Sequence, residues 1–203
     1  MSVTDRVSAA CLPLAPALLF AYGAVRLLDP TRSPGVVWTV SHVFYLASYL
    51  AVGAATYALR RLLADAGPSV RRIGTGLVLL GWLGALCGVG QAVIDLVAGA
   101  LASTKAERGV IADQLRDAVP GAAQMFYGTG PALSVLAAIG LMTLAAWLPA
   151  RRVPWWSPVL ALGAWTLPTL SLDLIPVAAL GLLVALWPPY RILRAGAPLR
   201  TRA

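Results

Sequence analysis

The sequence predicts an all-α protein: a polytopic membrane bundle of six transmembrane helices, both termini cytoplasmic, with a short amphipathic helix in an outer loop at 102–125. Three observations predict it. Of 203 residues, 59% are hydrophobic and only 12% charged, with a mean hydropathy of +0.78; a soluble domain of this size needs more polar surface. Several apolar runs are long enough to cross a hydrocarbon core of about 30 Å. The basic residues gather in short clusters between those runs, where membrane topology uses them. The net charge of +8 therefore marks a bilayer partner and not nucleic acid, for which an arginine/lysine stripe interleaved with aromatics would be needed.

The whole chain reads as one integral-membrane domain. Residues 8–28 form the first span. The segment before it has a weak basic region, and Pro13 and Pro16 break its apolar stretch, so it reads as an uncleaved helix and not a signal peptide. The second span is 36–59 and the third 73–101. The loop at 102–125 opens with Thr104 and Glu107 at capping-box spacing. Val110, Ile111, Gln114, Leu115 and Ala118 follow at helical spacing, and Pro120-Gly121 ends the pattern. The fourth span is 126–148. The run 155–187 is too long for one crossing and divides between Pro168 and Pro176 into spans at 155–170 and 172–187.

Charge fixes the count. With 155–187 as a hairpin, Arg6, Arg60, Arg61, Arg71, Arg72, Arg151, Arg152, Arg191, Arg194, Arg200 and Arg202 share one side. Arg26, Arg32, Lys105, Arg108 and Arg116 share the other. Eleven against five places the first side in the cytoplasm. Fifteen of the sixteen basic residues are arginine and alanine is abundant, which suits a bacterial plasma membrane. Cys11 and Cys87 lie in separate apolar segments, where small buried side chains are the ordinary reading.

Polar residues concentrate toward the outer helix ends. Tyr22 and Arg26 stand one turn apart on span one. His42, Tyr45 and Tyr49 share a face of span two. Gly81, Gly84, Gly88, Gln91 and Asp95 share a face of span three, changing from small to polar along it. Tyr127 and Thr129 begin span four. Thr169, Ser171 and Asp173 lie at the hairpin, Asp173 being the only formal charge in residues 153–190. Trp38 and Trp165 could add aromatic walls. An intramembrane carboxylate usually faces a partner inside the bundle, and Arg26 is the natural counter-ion for Asp95 or Asp29.

Three functions fit this pattern. An outward-facing polar pocket built from Arg26, Tyr22, His42, Tyr45, Tyr49, Gln91, Asp95 and Tyr127 would bind or transport a small or lipid-like molecule. Alternatively, Asp95, Asp173 and His42 would perform acid–base chemistry, such as cyclisation, isomerisation or hydrolysis, on an apolar substrate. In a third reading the chain is an accessory subunit whose Gly81–Gly88 face packs on a partner. A single histidine and the lack of a cysteine or acidic cluster point to no metal site and no cofactor.

Overall fold

A computed structural model describes residues 2–118, 121, 123–149 and 152–195. Arg151, Arg200, Arg202 and Pro120, used in the topology and helix-end readings, lie outside the described residues.

The helices are α1 (Val3–Leu27), α2 (Val36–Arg60), α3 (Pro68–Leu101), α4 (Lys105–Asp117), α5 (Thr129–Trp147), α6 (Trp156–Leu170) and α7 (Ile175–Arg194). Single turns at Arg61–Leu63 and Leu172–Leu174, and a π-helical stretch at Ala123–Gly128, join or precede them. α1 packs on α2 and α7, α3 on α2 and α5, and α6 on α7. Among the described residues, five helical segments are long and apolar enough to cross a membrane. α6 is not among them: its 15 residues span roughly 22 Å, short of a core of about 30 Å.

Several helix limits differ from the sequence reading for identifiable reasons. α1 begins five residues before position 8 because Ser2 and Asp5 form a capping box, Asp5 N–H to Ser2 Oγ at 3.1 Å and Ser2 N–H to Asp5 Oδ2 at 3.2 Å. It then runs through Pro13 and Pro16; neighbouring helices tolerate prolines that an isolated helix would not. α7 likewise continues through Pro188 and Pro189 to Arg194. Pro189 has no N–H for the Ala185 carbonyl, and the Ser157 hydroxyl on α6 donates to that carbonyl instead. The 155–187 run does break, at Ser171, whose Oγ accepts the Asp173 N–H at 3.2 Å; Pro168 itself lies inside α6.

Two ends of the bundle are defined by ion pairs. At one, Arg61 contacts Asp5 at 3.4 Å and Arg152 contacts Asp65 at 2.6 Å, which joins the start of α1, the end of α2 and the α5–α6 connection. At the other, Arg26 and Arg32 meet Asp173.

The glycine face of α3 is used inside the bundle. A Cβ on Gly84 would run into the α5 backbone at Ser134, with the Gly130 carbonyl oxygen 3.0 Å away. Gly88 lies against the Tyr49 ring, and Gly81 against Thr56 and Ala137.

Candidate functional site

The polar residues of α2, α3 and the turn before α5 meet at the end of the bundle that carries Asp173. Asp95 on α3 is the centre. Its Oδ1 accepts the Tyr127 hydroxyl at 2.7 Å, its Oδ2 lies 3.8 Å from His42 Nε2, and its main-chain carbonyl accepts the Trp38 indole N–H at 3.0 Å. The side chains of Asp95 and His42 are 16% and 3% exposed, so this carboxylate depends on protein donors and not on bulk water.

The histidine tautomer follows from its partners. His42 Nδ1 stands 2.8 Å from the Trp38 carbonyl oxygen. A carbonyl has no proton to give, so Nδ1 carries the hydrogen. The same carbonyl takes the Ser41 hydroxyl at 2.7 Å on its second lone pair. Nε2 is then bare in the neutral ring, and it is the nitrogen that faces Asp95.

Aromatic rings enclose this pair. Trp38 stacks on His42 at 3.8 Å between centroids, and the Arg108 guanidinium lies over the indole at 3.7 Å. Tyr22 meets His42 edge-on at 5.6 Å and Tyr45 at 4.8 Å. Gly99 leaves room for the indole, which a Cβ there would strike. Tyr45 donates to Gln91 Oε1 at 2.8 Å and stands 3.5 Å from the Tyr49 hydroxyl.

α4 lies over the cluster. Thr104 caps it, its Oγ1 accepting the Glu107 N–H at 3.2 Å; Glu107 reaches back to the Ser103 N–H at 2.7 Å, one residue before the cap. Its half-buried face carries Arg108, Ile111, Ala112, Leu115 and Arg116. The expected face at Val110, Gln114 and Ala118 is exposed. Arg116 pairs with Asp113 and sits 4.9 Å over the Tyr127 ring; Arg108 donates to the Arg32 carbonyl. Two arginines, counted in the sequence only as charges, thus form the roof.

Asp173 belongs to a second, neighbouring cluster. Its Oδ1 contacts Arg26 at 3.3 Å and Arg32 at 2.8 Å. The sequence reading pairs Arg26 with Asp95 or Asp29; the structure pairs it with Asp173, because α1 packs on α7 and the turn before α7 lies beside the end of α1. Asp29 instead organises its own loop, accepting the Thr31 and Ser33 N–H groups, each at 3.0 Å. That loop holds Arg32 in the left-handed region at φ 54°, uncommon for a side-chain-bearing residue, and so aims its guanidinium at Asp173. The Thr31 hydroxyl on Asp29, with these N–H groups, holds the Asp29 carboxyl below its ordinary range.

A cavity of about 80 Å³ lies one level deeper. α1 contributes Ala15, Pro16 and Leu19; α2 contributes Ser48, Tyr49, Val52, Ala55, Thr56 and Leu59; α5, α6 and α7 close it. Its lining includes no charged residue. Beside the polar cluster itself, a void of about 10 Å³ touches Arg26, Asp29, Arg32, Trp38 and Ser41. Among the described residues no three of His, Cys, Asp and Glu gather as a metal-holding group. Cys11 and Cys87 are both free and buried.

The fold is that of a multi-pass, all-helical membrane protein with a buried polar cluster above an apolar cavity. No family model, curated protein or solved structure matches the chain.

Proposed function

We propose that this chain spans a bacterial plasma membrane six times with both termini cytoplasmic, α6 crossing as a short helix with interfacial ends, and that it binds or transports a small or lipid-like molecule. One observation carries the ligand reading: Tyr49 both lines the apolar cavity and stands at the end of the Tyr49–Tyr45–Gln91 row. An apolar chamber with a few placed polar groups is the common form of a small-molecule site. The chain end of an amphiphile would occupy the cavity, and its polar part would lie toward Tyr22, Tyr45 and Gln91. The subunit reading loses its chief support, since the α3 glycine face is taken up by α2 and α5.

The test is native mass spectrometry of detergent-purified protein titrated with a long-chain alcohol. Saturable one-to-one adducts are expected, and they should be lost in Ala138→Phe, which fills the cavity while preserving helicity by circular dichroism. Non-saturable adducts equal in both proteins would overturn the reading. Topology is tested by single cysteines. Ser103→Cys and Ser171→Cys should react with an impermeant thiol reagent on intact cells, and Ser69→Cys only after permeabilisation. The opposite pattern refutes the orientation. If Ser171→Cys and Ser103→Cys react from opposite sides, the six-span count fails.

The approach of His42 to Asp95 favours a second reading, acid–base work at that pair. Neutral His42 and ionised Asp95 would turn lone pairs toward each other, so one proton held between Nε2 and Oδ2 relieves the contact. Asp173, bound to two arginines, takes no part in this version.

A further inference from the structure

One end of the bundle carries charge that the protein does not balance. Asp5 and Asp65 are the acidic side chains there, and both are taken, by Arg61 and Arg152. Those two arginines are the sheltered ones, 25% and 10% exposed, as expected when scarce carboxylates go to the cations that water serves least. Arg6, Arg60, Arg71, Arg72, Arg191 and Arg194 make no ion pair among the described residues. All but Arg60 are exposed. The opposite end is different: Arg26, Arg32 and Arg116 each have an aspartate, and acidic residues there are as plentiful as basic ones.

The unbalanced charge is densest where α2 ends and α3 begins. Arg60 Nε donates to the Thr75 hydroxyl at 3.2 Å, and that hydroxyl donates to the Arg71 carbonyl at 3.0 Å. Arg60 is thereby held along the first turns of α3, on the face that Arg71, Arg72 and Thr75 share. The first turn of α3 contains no acidic residue.

The same face of α3 continues toward the middle of the helix as an apolar strip. Leu79 and Trp82 follow Thr75 at helical spacing and are 58% and 43% exposed. The Trp82 indole N–H donates to the Gly53 carbonyl of α2 at 3.0 Å, so the ring offers only apolar surface outward. From Arg72 to Trp82 the helix rises about 15 Å, half of a hydrocarbon core of about 30 Å. Basic cluster and apolar strip together match one lipid of one leaflet, headgroup to chain.

We propose that Arg60, Arg71 and Arg72 hold the headgroup phosphate of an anionic phospholipid, whose acyl chain lies along Leu79 and Trp82. Guanidinium groups suit phosphate oxygens in charge and in planar fork geometry, and basic clusters beside a membrane helix favour anionic over zwitterionic lipid. A nucleic acid or an acidic peptide would match the arginines but not the strip that continues to bilayer depth. This lipid site is separate from the cavity and stands whichever leaflet this end of the bundle faces.

The test is native mass spectrometry of the full chain in detergent, titrated with phosphatidylglycerol or with phosphatidylcholine of the same acyl chains. Wild-type protein should form a saturable one-to-one phosphatidylglycerol adduct, about tenfold or more tighter than with phosphatidylcholine. Arg71→Gln/Arg72→Gln should weaken it about 10- to 30-fold, or about 5-fold per arginine. Arg191→Gln/Arg194→Gln, at the same end on α7, should leave it nearly unchanged. Both pairs are exposed, so each variant should keep the wild-type circular dichroism. In nanodiscs, phosphatidylglycerol brominated along its chains should quench the fluorescence component lost in Trp82→Phe more than brominated phosphatidylcholine does, and Arg71→Gln/Arg72→Gln should remove that difference. Equal affinity for the two lipids would overturn the proposal. An equal loss in both arginine variants would replace the site with a diffuse charged rim. Soluble glycerol phosphate bound as tightly as the lipid, or equal quenching by the two brominated lipids, would refute the chain contact and with it the lipid assignment.

Discussion

Asp173→Asn should act on stability and not on binding. The carboxylate is 51% exposed, whereas the Arg26 side chain it neutralises is 8% exposed and that of Arg32 is 38% exposed. Breaking a fully buried ion pair costs about 3–5 kcal/mol, and an exposed pair is worth about 0–1 kcal/mol. Here one partner is nearly buried and the other half in water, so the loss should fall between these limits, at about 1–2 kcal/mol. In a chain of this size that corresponds to roughly 3–6 °C in Tm. The assay is reversible unfolding of purified protein in detergent, run as a double-mutant cycle with Arg26→Gln. Once Asp173 is neutral, removing Arg26 should cost much less than in wild type, a coupling of about 1 kcal/mol. Long-chain alcohol adducts in native mass spectrometry should persist in Asp173→Asn. Additive single mutants would refute the clasp, and loss of adducts with stability intact would return Asp173 to the binding machinery.

Three further outcomes are expected. Gly84→Ala should be about 1–3 kcal/mol less stable than Gly76→Ala: both gain the same helix propensity, but a Cβ at 84 meets the α5 backbone whereas one at 76 meets nothing within 4 Å; equal stabilities would show that α3 and α5 do not pack this closely. The chain has a single histidine, so a ¹⁵N-histidine NMR spectrum reports one ring, expected with the proton on Nδ1; an Nε2–H tautomer would contradict the Trp38 carbonyl contact. Asp29 has a lowered folded pKa, so its stabilisation of the 28–35 loop is fully present above the unfolded value of about 3.9 and fades as pH falls through the lower folded value. Protection of the Thr31 and Ser33 amides, measured relative to their intrinsic exchange rates, should therefore fall only at strongly acid pH, and loss of protection near neutrality would rule Asp29 out as the loop's anchor.

The helices were legible because the bilayer imposes length and apolarity on contiguous sequence. The gathering of His42, Tyr45, Gln91, Asp95 and Tyr127 at one end was legible too, since each stands near a helix end and i, i+3, i+4 spacing sorts faces. Partner choice was not. Arg26 lies near Asp29 in sequence and was assigned by depth to Asp29 or Asp95. Its actual partner depends on α7 lying beside α1, a tertiary fact without a local signature. Trp38 was legible as a possible aromatic wall, but Arg108 and Arg116 read only as outer charges. Only the docking of α4 turns those two arginines into a roof. The cavity was invisible for a further reason: it is a mismatch among helices.

The two levels of the bundle do different jobs, and α2 joins them. The polar level is held together from within: Asp95 has the Tyr127 hydroxyl, Gln91 has Tyr45, and Arg108 and Arg116 close the top. Such a network fixes the ends of α2 and α3 and the turn before α5 relative to one another, because each lost partner would strand a buried polar group. The apolar level keeps a void, against the tendency of interiors to close-pack. His42, Tyr45, Ser48, Tyr49 and Thr56 are all on α2, so a change at the polar level reaches the cavity wall through about two turns of one helix. Protonation at the His42–Asp95 pair and occupancy of the cavity are then linked equilibria whenever either rotates or shifts α2, and the linkage must run equally in both directions. A ligand that alters the ¹⁵N spectrum of His42 without touching it would be the direct sign of that coupling.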